Sequence, residues 1–204
     1  FSANRHGNAD VFVMSAKGGE IRRLTTHSQA DTPQAFTPDG KSVLFTSMRL
    51  GDPKVAFGGQ LMGASIQLYS IPATGGRERL VIPVPALGAS PGPDGRFILY
   101  TSLNAPENEW RKHAVSEATR DIWVYDTTAK THRQLTTWRG EDRDAVFSAD
   151  GKSVFWLNEQ SGSFNVWKMA FEGDAKPVQL TAHQTHPVRF LSLTAQNDLV
   201  YGYD

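Results

Sequence analysis

A short landmark recurs along this chain at nearly constant spacing, and it limits the possible folds more than any other feature. The dipeptide Asp-Gly followed by a basic residue occurs at 39–41, 94–96 and 150–152. The copies are 55 and then 56 residues apart. Each is followed by an apolar run. Because Asp-Gly between β-forming runs is a strong hairpin signal, each copy predicts a turn between two antiparallel strands.

Two further landmarks keep the same order along the chain. An aromatic or β-branched run recurs at 10–14, 66–70, 121–126 and 165–169. A segment closing on Leu-Thr or its equivalent recurs at Leu24-Thr25, Leu80-Val81, Leu135-Thr136 and Leu180-Thr181. Each unit therefore predicts four strands. Four strands in a repeat of roughly 40–45 residues are typical of a β-propeller blade.

We therefore predict an all-β fold, a β-propeller of four-stranded antiparallel blades. The chain accounts for an incomplete arc of three full blades and two half blades, within one propeller segment covering 1–204. The predicted blades are a partial blade 1–26, then 27–82, 83–137 and 138–182, and a partial blade 183–204. The predicted inner strands, near 31–36, 142–147 and 186–191, would line a central channel.

Charge and composition exclude several classes of protein. The 21 Lys and Arg residues balance 21 Asp and Glu residues, so the chain lacks the basic field of a nucleic-acid partner. It has neither a clustered basic helix nor an apolar run near the ~18 residues of a spanning helix, so we predict no membrane insertion. The absence of cysteine excludes disulfides and thiolate chemistry. The chain opens at Phe1 without a signal-peptide pattern, and we expect a soluble piece of a longer protein.

The repeats resemble those of the TolB and tricorn-protease group. The general match rests on residues 37–41 (TPDGK), 7–12 (GNADVF) and 161–167 (SGSFNVW). Segments outside the repeat narrow the resemblance: 109–113 (EWRKH), 119–126 (TRDIWVYD), 140–143 (GEDR) and 185–190 (THPVRF). Together they resemble the N-terminal β-propeller of a bacterial tricorn-like S41 family serine peptidase, over essentially the whole chain.

This resemblance implies a parent protein with one or two propellers followed by a PDZ-type domain and a serine-peptidase domain. The implied partners are peptide or unfolded protein substrate and those downstream domains, with a homo-oligomer as a further candidate. The implied setting is the bacterial periplasm or cell envelope, and the cytoplasm is the alternative. No catalytic residue of the family and no cofactor is carried over to this segment, so any enzyme assignment belongs to the parent.

One catalytic motif occurs and is rejected on chemical grounds. Residues 88–92 match the Gly-x-Ser-x-Gly nucleophile elbow, in which the residue after serine donates its backbone N–H to the oxyanion. That residue is Pro91, which has no N–H. We interpret the segment as one of the repeated turns.

Two other residue groups have structural explanations. His183 and His186, with His27 and Asp31 in the equivalent earlier loop, do not have a third ligand fixed by their spacing. We interpret the histidines as solvated loop residues and predict no metal site. Of the five tryptophans, Trp123, Trp156 and Trp167 lie in strand runs and are predicted core residues, whereas Trp110 and Trp138 lie in connections. The Asp-Gly acids lack the ligand pattern of a calcium loop.

The topology of a four-stranded blade predicts where binding would occur. The strand two–three connections and the links between blades emerge on one face, and both long insertions, 48–64 and 103–118, are strand two–three connections. Insertions gather where propellers bind or dock. The candidate contacts on this face are Trp110, Arg111, Lys112, His113, Arg120, Arg143, His186 and Arg189. The alternative is that these side chains only pair with neighbouring loops.

The preferred function is a noncatalytic propeller module of a tricorn-like S41 serine peptidase, which guides or gates peptide substrates or supports assembly. The first alternative is a TolB-like protein-interaction propeller with no enzyme attached. The second is the propeller of a prolyl-oligopeptidase-type hydrolase, which would carry a usable nucleophile elbow downstream.

Overall fold

The computed structural model describes residues 1–49, 66–102, 119–174 and 176–203, and the regular elements in these ranges are β-strands. In chain order they are β1 (Ser2–Ala3), β2 (Asp10–Val13), β3 (Arg22–Arg23), β4 (Asp31–Phe36), β5 (Ser42–Ser47), β6 (Gln67–Pro72), β7 (Arg79–Ile82), β8 (Ala86–Pro91), β9 (Phe97–Ser102), β10 (Ile122–Asp126), β11 (Thr131–Gln134), β12 (Asp142–Phe147), β13 (Ser153–Asn158), β14 (Asn165–Ala170), β15 (Val178–Gln179), β16 (Val188–Leu193) and β17 (Leu199–Tyr203).

The strands form antiparallel sheets in which neighbours in sequence are neighbours in space. Three sheets have four strands: β4-β5-β6-β7, β8-β9-β10-β11 and β12-β13-β14-β15. The remaining strands form a three-stranded sheet, β1-β2-β3, and a two-stranded sheet, β16-β17. The predicted all-β fold of four-stranded antiparallel blades is therefore confirmed. The chain divides into two compact units, 1–89 and 90–204, with the boundary inside β8.

The Asp-Gly landmark forms the tight turn between the first two strands of each four-stranded sheet. The Thr37 hydroxyl donates to Asp39 Oδ1 at 2.7 Å, and the same oxygen accepts the Lys41 N–H at 3.0 Å. Gly40 follows at φ 68°, in the left-handed region that favours glycine. These two hydrogen bonds, the hydroxyl's first, hold the pKa of Asp39 below its usual value. The turn is therefore fixed by its own side chains.

The first strand of a sheet is irregular in the same way in several repeats. Gly88 in β8, Asp144 in β12 and Phe190 in β16 each have a positive φ, between 54° and 58°, and each is the third residue of its strand. The pairing register shifts here in β12 and β16, as expected for a β-bulge. In β4 the third residue is Pro33, which an edge strand tolerates.

The Leu-Thr landmark closes the third and fourth strands of a sheet. The N–H groups of Val11, Ile122 and Val166 each donate to a threonine hydroxyl at 2.9 Å, and the acceptors are Thr25, Thr136 and Thr181. These hydroxyls satisfy buried N–H groups at the point where the fourth strand ends, which explains why threonine recurs there.

The second repeat departs from this pattern. Leu68 is fully buried, as Val11 and Ile122 are, and its partner on β7 is Ile82. The register shifts between Leu68 and Tyr69, so Leu80 lies opposite Tyr69 and is 43% exposed. The alignment of Leu80-Val81 with the Leu-Thr pairs is therefore wrong by two residues, and the bulge at Val81, which the spacing alone does not show, accounts for one of them.

The core of the first unit surrounds a buried ion pair. Apolar side chains from β2, β5 and β6 pack together, among them Val11, Phe45 and Tyr69. Arg49 follows β5 and lies over the rings of Phe45 and Tyr69, with Cζ 5.0 and 5.6 Å from the centroids. Its guanidinium donates from Nε and Nη2 to the two carboxylate oxygens of Asp31, at 3.2 and 2.6 Å, and it also pairs with Glu78.

Two apolar cores lie among the described residues of the second unit. One joins β9 and β10 to β12, β13 and β14, with Leu99, Ile122 and Trp156 at its centre. The other joins β13 and β14 to β16 and includes Leu157, Val166 and Val188. Each strand therefore supplies alternate residues to opposite faces of its sheet, and the first of these cores borders the cavity described next.

Candidate functional site

A cavity of about 680 Å³ lies in the second unit, where β11 and residues 135–138 face the sheet β12–β15. Four aromatic side chains, Trp138, Trp156, Trp167 and Phe171, line it together with polar and aliphatic residues. The polar groups at one end belong to Asp142, Asn158 and Gln160, and those at the other end to Arg133, Asp174 and Lys176. We call this space the tryptophan cavity. Concave, mostly apolar sites with a few polar groups are the usual form of a binding pocket.

Strand register builds one wall of the tryptophan cavity. Asp142 on β12 lies opposite Asn158 on β13, and Trp156 on β13 lies opposite Trp167 on β14. Asn158 and Trp156 are two residues apart on one strand, so their side chains share a face. The alternation of the strands therefore places a carboxyl, an amide and two indoles side by side.

Asp142 is the charged group at the centre of this wall. It is fully buried, and its Oδ1 accepts hydrogen bonds from Trp156 Nε1 and Asn158 Nδ2, both at 2.7 Å. The Thr136 hydroxyl is a further neutral donor to this carboxyl, and no cation pairs with it in the part of the chain that the structure describes. Burial raises the pKa of Asp142 to about 7, although the hydrogen bonds from Asn158, Thr136 and Trp156 favour the ionised form. The site therefore holds a carboxyl that changes charge near neutral pH.

Trp167 contributes a second unsatisfied group. Its side chain is buried, and its Nε1–H has no hydrogen-bond acceptor among the residues described. Buried indole N–H groups usually find an acceptor.

Gly140 fixes the position of the Trp138 ring. A side-chain carbon at Gly140 would overlap the six-membered part of that ring. We therefore expect Gly140→Ala to displace Trp138 from the cavity wall and to lower the free energy of unfolding by about 1–3 kcal/mol. The Trp138 resonance in ¹⁹F spectra of fluorotryptophan-labelled protein, assigned with Trp138→Phe, should move in this variant. It should stay in place in the neighbouring Thr137→Ala control, and an unmoved Trp138 resonance in Gly140→Ala would contradict this account.

Two of the predicted contact residues are engaged inside the protein. Arg120 Nε lies 3.3 Å from Glu141 Oε1, and the exposed fractions of these side chains are 12% and 4%. Arg143 Cζ lies 4.0 Å from the centroid of the Phe164 ring. Both interactions are of the kind expected if these side chains only pair with neighbouring parts of the protein.

The other two described candidates are exposed. His186 and Arg189 lie before and within β16, on the surface of the second unit. The His186 ring meets the edge of Tyr203, with centroids 6.0 Å apart. Phe190, next to Arg189, is 80% exposed and has a φ of 57°. A bulky residue is rare in that conformation. The role of His186 and Arg189 as contacts remains a prediction.

Four predicted contact residues, Trp110, Arg111, Lys112 and His113, lie outside the described residues. So does almost all of the two long insertions, 48–64 and 103–118. Their placement on a binding face therefore remains a prediction. The strand two–three position of both insertions follows from the strands that flank them, β5 and β6 for the first and β9 and β10 for the second.

Ser90 of the rejected nucleophile motif lies within a strand. Residues 86–91 form β8, and the turn follows at 92–95. The interpretation of the motif as a turn is therefore wrong, because Gly88 forms a left-handed irregularity inside the strand instead. The chemical objection is unchanged, since Pro91 still cannot donate an N–H to an oxyanion.

The loop histidines have other partners than a metal ion. His183 Nε2 lies 3.1 Å from the Tyr201 hydroxyl, and its ring stacks on Tyr203 at 4.1 Å. His27 Nδ1 accepts the Gln29 N–H at 3.1 Å, and Asp31 binds Arg49. Within 1–49, 66–102, 119–174 and 176–203, no group of three or more His, Asp or Glu side chains could hold a metal ion.

The sequence pattern located the cavity's tryptophans but not their role. Trp156 and Trp167 are buried as predicted, whereas Trp123 is half-buried between Tyr100 and Gln134. Asp142 was not selected as a site residue. The available signal was an acid at the first position of the first strand of a sheet, which β4 shares in Asp31, whereas β8 and β16 begin at Ala86 and Val188.

In the described part of the chain, no helix is long or apolar enough to cross a bilayer.

Comparisons with known proteins place the fold among propellers. The family model of the tricorn protease N-terminal β-propeller domain matches residues 1–204. A TolB homolog from Chlorobium luteolum is 23% identical over 167 residues, which is 82% of this chain and 33% of that protein. The Tol-Pal system protein TolB from Bordetella pertussis is 44% identical over 48 residues, 23% of this chain and 11% of its own length.

A solved structure gives the same result. TolB from Acinetobacter baumannii superposes with a TM-score of 0.71 at 18% identity, covering 95% of this chain and 42% of that chain. The chain thus spans less than half the length of each of these relatives. Since the family model covers every residue, the chain belongs to the family of tricorn protease N-terminal β-propeller domains.

Proposed function

We propose that this chain is a noncatalytic propeller module of a tricorn-like S41 serine peptidase, in the bacterial periplasm or cell envelope. In this role it guides or gates peptide substrates on their way to a peptidase domain elsewhere in the parent. The observation that carries the proposal is the match of the tricorn propeller model to the whole of 1–204. The peptide or unfolded protein partner and the downstream PDZ and peptidase domains are part of the proposal.

The surface of the second unit offers groups for such a role. Arg189 and His186 are exposed, and Arg189 has no ion-pair partner among the residues that the structure describes. The exposed guanidinium of Arg189 attracts acidic segments or carboxylate ends of extended chains. A guiding surface acts on long chains and leaves short peptides unaffected, and this difference gives a direct test.

The double variant Arg189→Glu/His186→Glu in the full-length protein reverses the charge of this surface. We expect turnover of a long unfolded polypeptide to fall by about fivefold or more, while turnover of a short chromogenic peptide stays the same. The matched control is Lys17→Glu, an equally exposed charge reversal in the first unit. Equal turnover of the long substrate by variant and control would contradict the guiding role.

A second candidate is a TolB-like protein-interaction propeller with no enzyme attached. It is favoured by the alignment of the Chlorobium luteolum TolB homolog along 82% of this chain. It predicts that the full-length protein hydrolyses neither substrate. The same assay therefore separates the two candidates.

A further inference from the structure

We propose that the tryptophan cavity is a binding site for a basic residue of an extended peptide, with the arginine or lysine head group on Asp142 and a peptide carbonyl on Trp167. The identity of the ligand as a peptide rests on the proposed function. The site itself rests on the geometry of the second unit.

The first argument is the unmet hydrogen bonding in the cavity. Within the residues described, the donors to Asp142 are all neutral, namely Asn158, Thr136 and Trp156, and Trp167 Nε1 lacks an acceptor. A ligand that satisfies both must donate to a carboxylate and accept from an indole. A basic side chain does the first and a backbone carbonyl the second, so a peptide carries both groups at once.

The second argument is the aromatic lining. Trp138, Trp156 and Trp167 border the same space. A cation over the face of tryptophan is attracted by the ring quadrupole, most strongly when water is excluded. The protein already uses this interaction nearby, since Arg133 Cζ lies 5.2 Å from the centroid of Phe171 at the other end of the cavity.

The third argument concerns the charges that face Asp142. Asp121 raises its pKa further, as a second negative charge does. The lining cations, Arg133 and Lys176, lie at the opposite end of the cavity, where Asp174 also lies. Arg133 Nη2 is 4.0 Å from Glu172 Oε1. Asn158, Trp156 and Thr136 are the uncharged groups beside it. The Asp142 end is therefore the acidic end and suits a cation.

A basic ligand would also offset the cost of burying the Asp142 carboxylate. An isolated buried carboxylate is costly, and Asp142 avoids this cost below neutral pH by holding a proton. A guanidinium against Oδ2 would stabilise the ionised form, so binding would release a proton. Affinity should therefore rise with pH as Asp142 ionises.

The test compares two peptides that differ only in charge, Ac-Gly-Arg-Gly-NH2 and its citrulline counterpart, by calorimetry on the full-length protein. At pH 8 we expect the arginine peptide to bind about tenfold more tightly than the citrulline peptide. The ratio should approach one at pH 5.5. Equal affinities at pH 8, or no measurable binding of the arginine peptide at millimolar concentration, would overturn the proposal.

Two variants tie the result to the cavity. Asp142→Asn keeps Oδ1 as an acceptor for Trp156 and Asn158 and should abolish the preference for arginine, whereas Asp174→Asn, at the other end of the same cavity, should keep it. Trp167→Phe retains the carboxyl and should weaken both peptides about equally. A preference that survives in Asp142→Asn would overturn the assignment. Because neither peptide is a turnover probe, binding with no peptidase activity in the parent would reject the proposed function alone.

Discussion

Replacing Asp31 with alanine is expected to lower the free energy of unfolding of the first unit by about 3 kcal/mol. Asp31 is fully buried, and both of its carboxylate oxygens accept hydrogen bonds from Arg49. The Arg49 side chain is itself only 6% exposed. Without Asp31 the guanidinium would stay over the rings of Phe45 and Tyr69 with Glu78 as its remaining carboxylate partner. Glu78 is itself 40% exposed, so it compensates only in part.

The measurement is amide hydrogen exchange of β4, β5 and β6 in the full-length protein. A loss of this size corresponds to exchange faster by on the order of a hundredfold where the unit opens as a whole. The control is Glu20→Ala, an exposed acid of the same unit, which should change the stability by less than about 0.5 kcal/mol. The double variant Asp31→Ala/Arg49→Met should recover part of the loss, because it leaves no buried charge. A loss in Asp31→Ala no greater than in Glu20→Ala would show that the pair does not stabilise the unit.

Local turn chemistry is the reason that much of this fold could be predicted. In two of the Asp-Gly turns a hydroxyl, Thr37 or Ser148, and the Asp side chain close the turn without help from the rest of the protein. Such signals are complete within five residues and therefore visible in a sequence. The strands between them follow from the apolar runs that the turns delimit.

The turn that follows β16 could not be predicted from the Asp-Gly landmark. Between β16 and β17 the turn has Asn197 at φ 67°, in the place that glycine takes in the other repeats, and Thr194 Oγ1 donates to Asp198 Oδ2 at 3.1 Å. The same geometry is built from different residues. The turn contains no Asp-Gly dipeptide. Asparagine can replace the glycine because it also tolerates the left-handed region.

The bulges were also beyond prediction from the spacing of landmarks. An extra residue in one strand changes the partner of every later residue, as Ile82 shows by pairing with Leu68 in the place that Val81 would take in a regular ladder. Gly88 likewise looks like a turn residue in sequence but lies within β8. Whether a glycine starts a turn or a bulge depends on pairing with the next strand, which the local sequence does not contain.

The tryptophan cavity is a property of two sheets and could not be derived from one repeat. Trp156 and Trp167 are recognisable as core residues because they lie in apolar runs. That they border open space beside Asp142 depends on where β11 and residues 135–138 pass. Arg120, just after the second long insertion, is a predicted contact, and the sequence alone did not show that its side chain is mostly buried beside Glu141.

The stability of the second unit is expected to fall as the pH rises from about 4 to about 7, because of Asp142. Burial raises the pKa of Asp142 to about 7 in the folded protein, whereas an unfolded aspartate titrates near 3.9. Between these values the folded state binds the extra proton, so the free energy of unfolding decreases with pH and reaches its lower limit above pH 7. The decrease is on the order of 4 kcal/mol for a shift of this size.

Asp142→Asn carries no such dependence and isolates the effect. Near pH 4.5 the variant and the unmodified protein should exchange the amides of β12, β13 and β14 at similar rates, since Asp142 is neutral in the folded state and an amide replaces a carboxylic acid of similar shape. At pH 8 the unmodified protein should exchange faster by at least tenfold, because it must hold a buried carboxylate that the variant lacks. Comparing the two proteins at each pH cancels the intrinsic pH dependence of exchange.

Asp150→Asn is the matched control, since Asp150 lies in an exposed turn where hydrogen bonds from Ser148 and Lys152 lower its pKa. The difference in exchange rate between Asp150→Asn and the unmodified protein should therefore change with pH in the opposite direction. A difference between Asp142→Asn and the unmodified protein that stays constant from pH 4.5 to 8 would mean that Asp142 is ionised in the folded protein throughout, with its charge already balanced by a neighbour.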